Sequence, residues 1–182
     1  MLHHKGTVEL QTERLLLRRL RVSDSGDFFT NLVNDKEVLR YTAWPYHETI
    51  EQTVGMLTAW CGAYEKPLFY CWGVEFEGKI IGNLTVYRIY EDTNSLEIGY
   101  CFGKEHWNKG FATEAVKAVT DFLFSAVNAE KIIVSFASGN PASGKVAEKC
   151  GMTYVKTDKA AFTTQSGEVV DVIEYEKNRC VN

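Results

Sequence analysis

The sequence predicts a mixed α+β (α/β) fold, in which a mostly antiparallel sheet packs against a few helices, and three observations point to it. Three strand-like segments follow one another over residues 68–102 with only short connections between them. A long amphipathic helix comes next, over residues 110–128, and a mostly apolar strand follows it. With 182 residues, 45% of them hydrophobic, the chain can bury one core, so we expect residues 1–182 to form a single domain.

The first third of the chain predicts one strand and two helices. Apolar and basic residues alternate in RLLLRRLR (14–21), as in a strand with one polar face. Ser23 is expected to cap a helix that continues through DSGDFFTNLVND (24–35), because the apolar residues there recur at helical spacing. Pro45 interrupts this pattern, and a second helix is expected over residues 49–64.

The rest of the chain predicts a three-stranded meander, a long helix, a fifth strand, a shorter helix and two closing strands. The shorter helix begins with Pro141 after Asn140 and stops before Gly151, which matches the usual placement of proline and glycine at helix ends. The order β-α-α-β-β-β-α-β-α-β-β gives about seven strands and about four helices. The segments after the second helix are LFYCWGVEF (68–76), KIIGNLTVYRI (79–89), SLEIGYCF (95–102), residues 110–128, KIIVSFA (131–137), PASGKVAEK (141–149), MTYVKT (152–157) and EVVDVIEYE (168–176).

Charge and cysteine usage narrow the classes of function. Twenty basic and 24 acidic side chains give a net charge of −4 without a long block of either sign, so we expect no nucleic-acid or membrane partner. The five cysteines are odd in number and lack the spacing of metal ligands, which suits a reducing compartment; we expect a cytoplasmic protein without a metal site. The adjacent His3 and His4 are interpreted as solvated residues of a frayed terminus.

A glycine stands where the long helix must begin. In HWNKGFATEA (106–115), Gly110 occupies the first turn, although glycine in a helix costs up to about 1 kcal/mol relative to alanine. A strand, a basic-glycine turn and a helix together form an anion-binding arrangement, because the unpaired N–H groups of the first turn and the helix dipole both favour negative charge. Gly110 would let a phosphate touch the main chain, Lys109 would add charge, and Ala112 would keep the approach clear. The alternative is a glycine that only eases helix–strand packing.

Two segments together resemble a known family. The run LEIGYCFGKEHWNKGFATEAV (96–116), followed by NPASGKVAEKCGM (140–152), resembles the GNAT-type acetyl-CoA-dependent N-acetyltransferases, and most of all the branch that contains the ribosomal-protein N-terminal (alanine/serine) acetyltransferases. The loop pattern of that family is Q/R-x-x-G-x-G/A. Gly110 and Ala112 match its last two places, whereas Trp107 replaces Gln or Arg. The similarity extends over nearly the whole chain, from TERLLLRRL through WPYHETIEQT to DVIEYE.

The resemblance implies a GNAT-like sheet that splays between strands 4 and 5 and so opens a path for the pantetheine arm of acetyl-CoA. Main-chain groups of Tyr100, Cys101 and Phe102 would pair with that arm as though it were another strand. Asn140 would bond the arm from the far side, with Ser143 nearby, although Asn140 is equally typical of a helix N-cap. The N–H groups of Asn108, Lys109, Gly110, Phe111, Ala112 and Thr113 would hold the pyrophosphate.

Amine acetylation needs a base, because alkyl ammonium groups are almost fully protonated at pH 7. The resemblance favours Glu97, which faces away from its apolar neighbours in the strand; the alternative is a solvated surface glutamate. A bulge near residues 100–102 would free an N–H group for the oxyanion. Many relatives carry a tyrosine general acid where this chain has Ala147, so either Ser143 serves or no acid is needed. Covalent catalysis by Cys101 is disfavoured, since no histidine is near it in sequence.

By the same resemblance, the first two helices and the loops beside the sheet cover the acceptor pocket. Aromatic walls can hold an ammonium group, and otherwise such residues are ordinary half-buried side chains at loop ends.

The expected reaction moves the acetyl group of acetyl-CoA to a primary amine by direct attack in a ternary complex. The amine is a protein N-terminus or a small molecule such as an aminoglycoside-like or peptide antibiotic, and the enzyme is a monomer or a homodimer. The alternative is a non-catalytic acyl-CoA-binding regulatory module. The candidate acceptor-binding residues are Tyr41, Trp44, Tyr46, Tyr87 and Tyr90.

Overall fold

One sheet of eight strands forms the centre of the fold, in a computed structural model that describes residues 1–180. The strands are β1 (Leu10–Gln11), β2 (Leu16–Arg18), β3 (Cys71–Phe76), β4 (Lys79–Tyr90), β5 (Ser95–Phe102), β6 (Lys131–Ala137), β7 (Thr153–Thr163) and β8 (Val169–Asn178). Their order across the sheet is β1-β2-β3-β4-β5-β6-β8-β7. Neighbouring strands are antiparallel except β5 and β6, which run parallel.

Five α-helices accompany this sheet within residues 1–180, and they confirm the mixed fold class. They are α1 (Ser25–Phe28), α2 (Lys36–Leu39), α3 (Ile50–Ala63), α4 (Phe111–Ser125) and α5 (Pro141–Lys149). The sequence predicted about seven strands and about four helices; the additional elements are the two-residue strand β1 and the single-turn helix α2. None of the five helices is both long enough and apolar enough to cross a membrane.

The predicted first helix is broken into three short pieces. Ser23 does not cap a continuous helix, because it lies inside a 3-10 turn at Val22–Asp24. The Asp24 carboxylate of that turn accepts two N–H groups from the buried Arg18 guanidinium, at 2.8 and 2.9 Å, which anchors the turn to β2. Helix α1 follows for one turn, and a π-helical turn at Phe29–Val33 completes the segment.

The remaining elements lie close to their predicted positions. Helix α3 begins after its N-cap Thr49 and ends before Tyr64, and β4 and β5 match their predicted segments to within one residue. Helix α4 ends at Ser125, three residues earlier than expected, whereas β7 continues to Thr163. The hydrophobic period and the Gly and Pro positions were therefore sufficient to place the central part of the sheet.

The two faces of the sheet carry different cores. Helix α4 packs on one face, where Leu96 and Ile98 of β5 are fully buried. The segments around α1 and α3 pack on the other face, where Phe28 and Leu57 are fully buried. Because successive side chains of a strand point to opposite faces, Glu97 points away from the α4 core and towards the face covered by α1 and α3.

Strands β5 and β6 pair over only three residues and then separate. Residues 95–97 of β5 pair with residues 131–133 of β6. Beyond these pairs β5 continues to Phe102 and β6 to Ala137, and the two strands form no further ladder. The predicted splay between strands 4 and 5, which are β5 and β6 in the structure, is confirmed.

The amino-terminal residues pack against the rest of the molecule. Leu2 is buried in the α4 core, and the His3 N–H donates to the Val127 carbonyl at 2.7 Å. His4 lies between the Tyr70 hydroxyl, 3.1 Å from Nδ1, and the Glu91 carboxylate, 2.8 Å from Nε2. The expectation of a frayed terminus was wrong, because Leu2 finds an apolar site and His4 finds two polar partners.

Truncation of Phe28 tests the core between the sheet and helices α1 and α3. Its ring lies 5.9 Å from that of Trp44 and 5.8 Å from that of Trp60. We expect Phe28→Ala to lower the free energy of unfolding by about 3–5 kcal/mol, because a buried aromatic ring is replaced by a cavity. Phe28→Leu, which refills part of the space, should lower the free energy of unfolding by less. Urea titration of the two variants and the parent protein gives the measurement. Equal stabilities for the two variants would contradict this packing.

Candidate active site

A cavity of about 1170 Å³ follows the gap between β5 and β6 and continues under the loop at residues 40–44. One end is bordered by the start of α4 and by α5, and the other by the ends of β4 and β7. The cavity therefore connects the glycine turn with the aromatic residues that the sequence assigned to an acceptor pocket.

The free edge of β5 faces this gap. The Gly103 N–H donates to the Ile81 carbonyl at 2.9 Å, so by alternation the main-chain groups of Cys101 face β4, and those of Tyr100 and Phe102 face β6. The Phe102 carbonyl accepts the Trp107 indole N–H at 2.7 Å. Of the three predicted pairing residues, Tyr100 thus presents both its N–H and its carbonyl to the gap, and Cys101 presents neither.

The expected bulge near residues 100–102 is not present in β5. The β4–β5 register runs without a shift from Phe102 to Ile98, and the shift lies in β4 instead, where Tyr87 is the additional residue between Val86 and Arg88. That expectation was wrong because divergence of β6, rather than a bulge, exposes the edge of β5.

The turn before α4 presents a row of N–H groups. Asn108 and Gly110 have φ values of +58° and +85°, a backbone conformation that glycine adopts without strain. Within residues 1–180, no atom accepts a hydrogen bond from the N–H groups of residues 108–113, and no side chain caps the helix. These six N–H groups are therefore unsatisfied donors in the field of the helix dipole, an arrangement suited to bind a phosphate.

Arg14 holds this turn in place. Its guanidinium donates to the Lys109 carbonyl at 3.1 Å, lies 4.4 Å from the centre of the Phe111 ring and forms an ion pair with Glu114 at 2.7 Å. Glu114 also accepts the Arg14 main-chain N–H at 2.9 Å. The side chain that stabilises the turn comes from the segment before β2, about 100 residues earlier in the chain, and no local pattern indicated this contact.

Asn140 and Ser143 form the start of α5 on the opposite side of the gap. The Asn140 side chain is the observed N-cap: Oδ1 accepts the Ser143 N–H at 3.4 Å and Nδ2 donates to the Ser143 hydroxyl at 3.1 Å. The Tyr100 hydroxyl of β5 donates to the Ser143 carbonyl at 3.2 Å. Ala147 is fully buried one turn further on and carries no polar atom that could reach the gap.

Glu97 is buried at the last paired position of β5, and only 4% of its surface is exposed. Its carboxylate accepts the hydroxyl of Tyr87 at 2.5 Å and the hydroxyl of Tyr90 at 3.1 Å, and Arg88 lies 3.7 Å away. This burial excludes the interpretation of Glu97 as a solvated surface residue. The buried carboxylate on the cavity wall is therefore a candidate proton acceptor by its position.

Tyr87 extends from β4 to the Glu97 carboxylate. Desolvation of its hydroxyl end and the hydrogen bond to the Glu97 carboxylate raise the pKa of Tyr87, although 47% of the residue's surface is exposed. The phenol therefore keeps its proton throughout the physiological range. Tyr87 and Glu97 connect β4 to β5, and Ser135 of β6 lines the same cavity.

Four of the five predicted acceptor residues line the cavity, namely Tyr41, Trp44, Tyr87 and Tyr90. The exception is Tyr46, whose hydroxyl accepts an N–H group from Asn34 at 2.9 Å outside the cavity lining. The turn between β7 and β8 lies beside the loop at residues 40–44. Arg40 pairs with Glu168 at 3.5 Å across this contact, and Gln165 donates to the Trp44 carbonyl.

Several polar residues of the cavity were not singled out from the sequence. Lys156 forms an ion pair with Asp158 at 2.9 Å and lies 3.8 Å from Glu174. Ser135 lies inside an apolar strand pattern, and residues 156 and 158 lie in a strand with no other motif, so only the pairing of β6, β8 and β7 brings them together. The unpredicted polar residues beside β4, β6, β7 and β8 include Arg88, Ser135, Lys156, Asp158 and Glu174.

The Cys101 thiol is buried beside the cavity among apolar side chains. Burial raises the pKa of Cys101 to about 12, so the thiol is protonated at neutral pH. A protonated thiol is a poor nucleophile, and this agrees with the expectation that no acetyl group is carried by this cysteine.

Comparisons with known proteins place this architecture in a family. The family model of the acetyltransferase (GNAT) domain matches residues 14–153, about three quarters of the chain. This chain is a member of the GNAT acetyltransferases. Among curated proteins, the GNAT chain is 32% identical over 144 residues to the uncharacterized N-acetyltransferase YoaA of Bacillus subtilis, which covers 78% of this chain and 81% of the relative.

Two solved structures show the same fold. The ribosomal L7/L12 α-N-protein acetyltransferase RimL, in complex with coenzyme A, has a TM-score of 0.85 at 17% identity, over 94% of this chain and 98% of RimL. The microcin C7 self-immunity acetyltransferase MccE, in complex with acetyl-CoA and AMP, has a TM-score of 0.81 at 19% identity, over 92% and 94% of the two chains. At these identities the likeness establishes the GNAT fold alone.

Thiol labelling tests the state of Cys101. We expect iodoacetamide at pH 8 to alkylate the exposed Cys180 of the native protein and to leave Cys101 unmodified, because only an accessible thiolate reacts. Peptide mass spectrometry before and after unfolding in urea gives the measurement, and unfolded protein should label at both positions. Labelling of native Cys101 as fast as Cys180 would contradict the buried thiol.

Proposed function

We propose that this GNAT protein transfers the acetyl group of acetyl-CoA to a primary amine by direct attack in a ternary complex. The observation that carries the proposal is the position of Glu97, a buried carboxylate at the point where β5 and β6 separate. A base at that point lies where a thioester guided along the gap would end. Acetyl-CoA supplies an activated acyl group with a thiol leaving group.

The glycine turn supports a diphosphate site. The N–H groups of residues 108–113 have no acceptor within residues 1–180, and the ion pair of Arg14 with Glu114 holds the turn with those groups directed outward. We assign the pyrophosphate of the cofactor to these groups, and Lys109 adds positive charge beside them. This assignment includes Asn108, Lys109, Gly110, Phe111, Ala112 and Thr113.

The gap itself supports the pantetheine assignment. Tyr100 offers an N–H and a carbonyl on the free edge of β5, and the Phe102 N–H points the same way, so an extended amide chain can pair there. Asn140 and Ser143 border the opposite side of the gap. Because Asn140 already caps α5, its contact with the arm would use the second lone pair of its amide oxygen.

Glu97 is the proposed general base. It removes a proton from the acceptor amine, directly or through a water molecule, so that a neutral nitrogen attacks the thioester carbon. Tyr41, Trp44, Tyr87 and Tyr90 line the same cavity as this carboxylate, and aromatic side chains there favour a cationic amine before it is deprotonated. A protein N-terminus and a small-molecule amine both fit this chemistry.

Release of free thiol measures the transfer. We expect the protein to release coenzyme A from acetyl-CoA faster than hydrolysis when it meets a suitable member of a panel of amines, with an acetylated product visible by mass spectrometry. Tight binding of coenzyme A without release above hydrolysis for any amine would instead favour a regulatory acyl-CoA-binding module.

Substitution of Gly110 tests the diphosphate site. With φ at +85°, any L-residue is strained there by about 1–3 kcal/mol, so Gly110→Val should weaken coenzyme A binding by at least about tenfold in calorimetric titration. Gly78→Val is the matched control, because Gly78 has φ +77° in the turn between β3 and β4 and no atom within 4 Å of an added Cβ. The control should be strained equally and bind normally. Equal affinity of both variants would remove the phosphate from this turn.

Substitution of Glu97 tests the base. We expect Glu97→Gln to lower kcat about 10²–10⁴-fold at pH 7, and the loss to shrink as the pH rises, because a larger share of the acceptor amine is then already neutral. Glu91→Gln, at an exposed site paired with His4, controls for the loss of one surface carboxylate. A pH–rate profile of Glu97→Gln that runs parallel to that of the parent enzyme would exclude Glu97 as the base.

A further inference from the structure

The bulge in β4 directs one tyrosine across the neighbouring strand. Tyr87 is the additional residue between Val86 and Arg88, and its ring lies over Gly99 of β5. A Cβ atom at position 99 would lie 3.2–3.3 Å from two ring carbons of Tyr87, so the glycine provides the space for the ring. From this position the hydroxyl reaches Glu97 at 2.5 Å. The combination of bulge and glycine thus fixes the location of the phenol oxygen.

That phenol oxygen lies where the gap closes. Glu97 is the last residue of β5 that pairs with β6, and its partner in β6 is Ile133. The Tyr87 hydroxyl, which donates to Glu97, therefore lies at the point where the two strands separate, and Tyr87 and Ser135 of β6 line the same cavity there. An arm that entered from the open end and paired with the edge of β5 would bring its terminal sulfur towards this hydroxyl.

The leaving sulfur departs as a thiolate unless a proton donor lies beside it. Helix α5 offers no phenol, since Ala147 is buried and apolar. Ser143 offers a hydroxyl in the first turn of α5, on the far side of the gap, where Asn140 holds it. Tyr87 differs from Ser143 in one respect that matters for turnover: it is hydrogen-bonded to the base that collects the amine proton.

We propose that Tyr87 donates a proton to the departing sulfur and regains one from Glu97; the inference rests on the proposed acetyl transfer. Glu97 first passes the proton of the ammonium group to solvent and is ionised again. The nitrogen of the neutral amine then forms a bond to the acetyl carbon while the carbon–sulfur bond breaks. Glu97 takes one proton from that nitrogen, and the Tyr87 O–H proton passes to the sulfur. The proton on Glu97 then moves to the phenolate oxygen. The products are an amide and a thiol, and both side chains return to their starting states.

The charge of Glu97 couples the two proton transfers of this reaction. While Glu97 is ionised, its carboxylate helps to hold the pKa of Tyr87 above the ordinary value, so the phenol does not lose its proton early. Once Glu97 has taken the amine proton, that negative charge is gone and the phenol becomes more acidic. Proton release from Tyr87 is therefore coupled to deprotonation of the amine.

The kinetic test compares Tyr87→Phe with Tyr90→Phe, because both phenols donate to Glu97, Tyr87 at 2.5 Å and Tyr90 at 3.1 Å, but only Tyr87 is the bulge residue held over Gly99. With an amine that the parent enzyme acetylates, we expect Tyr87→Phe to lower kcat by about 10²-fold, at least about tenfold more than Tyr90→Phe, with little change in the KM for acetyl-CoA. Equal losses would mean that both tyrosines only hold the base. A larger loss for Ser143→Ala than for Tyr87→Phe would assign the donor to Ser143.

A second measurement needs no acceptor amine. With tyrosines labelled by ¹³C at Cζ, the Tyr87 resonance, assigned from its absence in Tyr87→Phe, should lie at a different chemical shift at pH 7 in the parent protein and in Glu97→Gln, because a charged carboxylate polarises the phenol more than a neutral amide does. The same Tyr87 shift in both proteins would overturn the coupling, and loss of chemical-shift dispersion for all tyrosines would identify an unfolded variant. If the parent releases no coenzyme A with any amine, acetyl transfer itself fails; if the parent is active and Tyr87→Phe equals it, only the proton donor is wrong.

Discussion

The separation of β5 from β6 after three pairs is the constraint on which the rest of the site depends. A sheet interior normally uses every main-chain donor and acceptor, yet the edge of β5 from Ile98 onwards has no strand beside it. Helix α5 packs closely on β6, where a Cβ atom added at Gly144 would lie 3.0 Å from the Phe136 ring, and it meets β5 through the Tyr100 hydroxyl. The two strands are thus held apart by side chains, and the polar edge between them remains available to an extended ligand.

The side chains at the point where β5 and β6 separate also explain why a carboxylate can be buried there. An ionised group without partners is costly to remove from water, and Glu97 offsets that cost with two phenol donors and the nearby Arg88. The bulge at Tyr87 and the small residue Gly99 supply the geometry for the closer of these bonds. Pairing of β4 with β5 therefore places the proposed base and its hydrogen-bond partners together.

Local patterns were enough for part of this arrangement, and long-range contacts decided the rest. Gly110, the helix that follows it and the alternation around Glu97 are visible in short segments, because helix ends and strand faces follow local periodicity. The first helix was predicted as continuous, since the tie from Asp24 to Arg18 depends on tertiary packing. The bulge lies in β4 and not in β5, because the register between the two strands depends on long-range pairing. Aromatic residue type alone could not distinguish Tyr46, which bonds to Asn34, from the tyrosines that line the cavity.

Amide NMR with coenzyme A measures the central claim most directly. On titration of the ligand into uniformly ¹⁵N-labelled protein, the amides of residues 108–113 and of Tyr100 should shift together with one saturation curve and gain protection from hydrogen exchange, because the diphosphate and the pantetheine arm occupy them at once. Saturable binding that leaves these amides unshifted and unprotected would contradict the account, since the gap between β5 and β6 would then not be the path of the ligand.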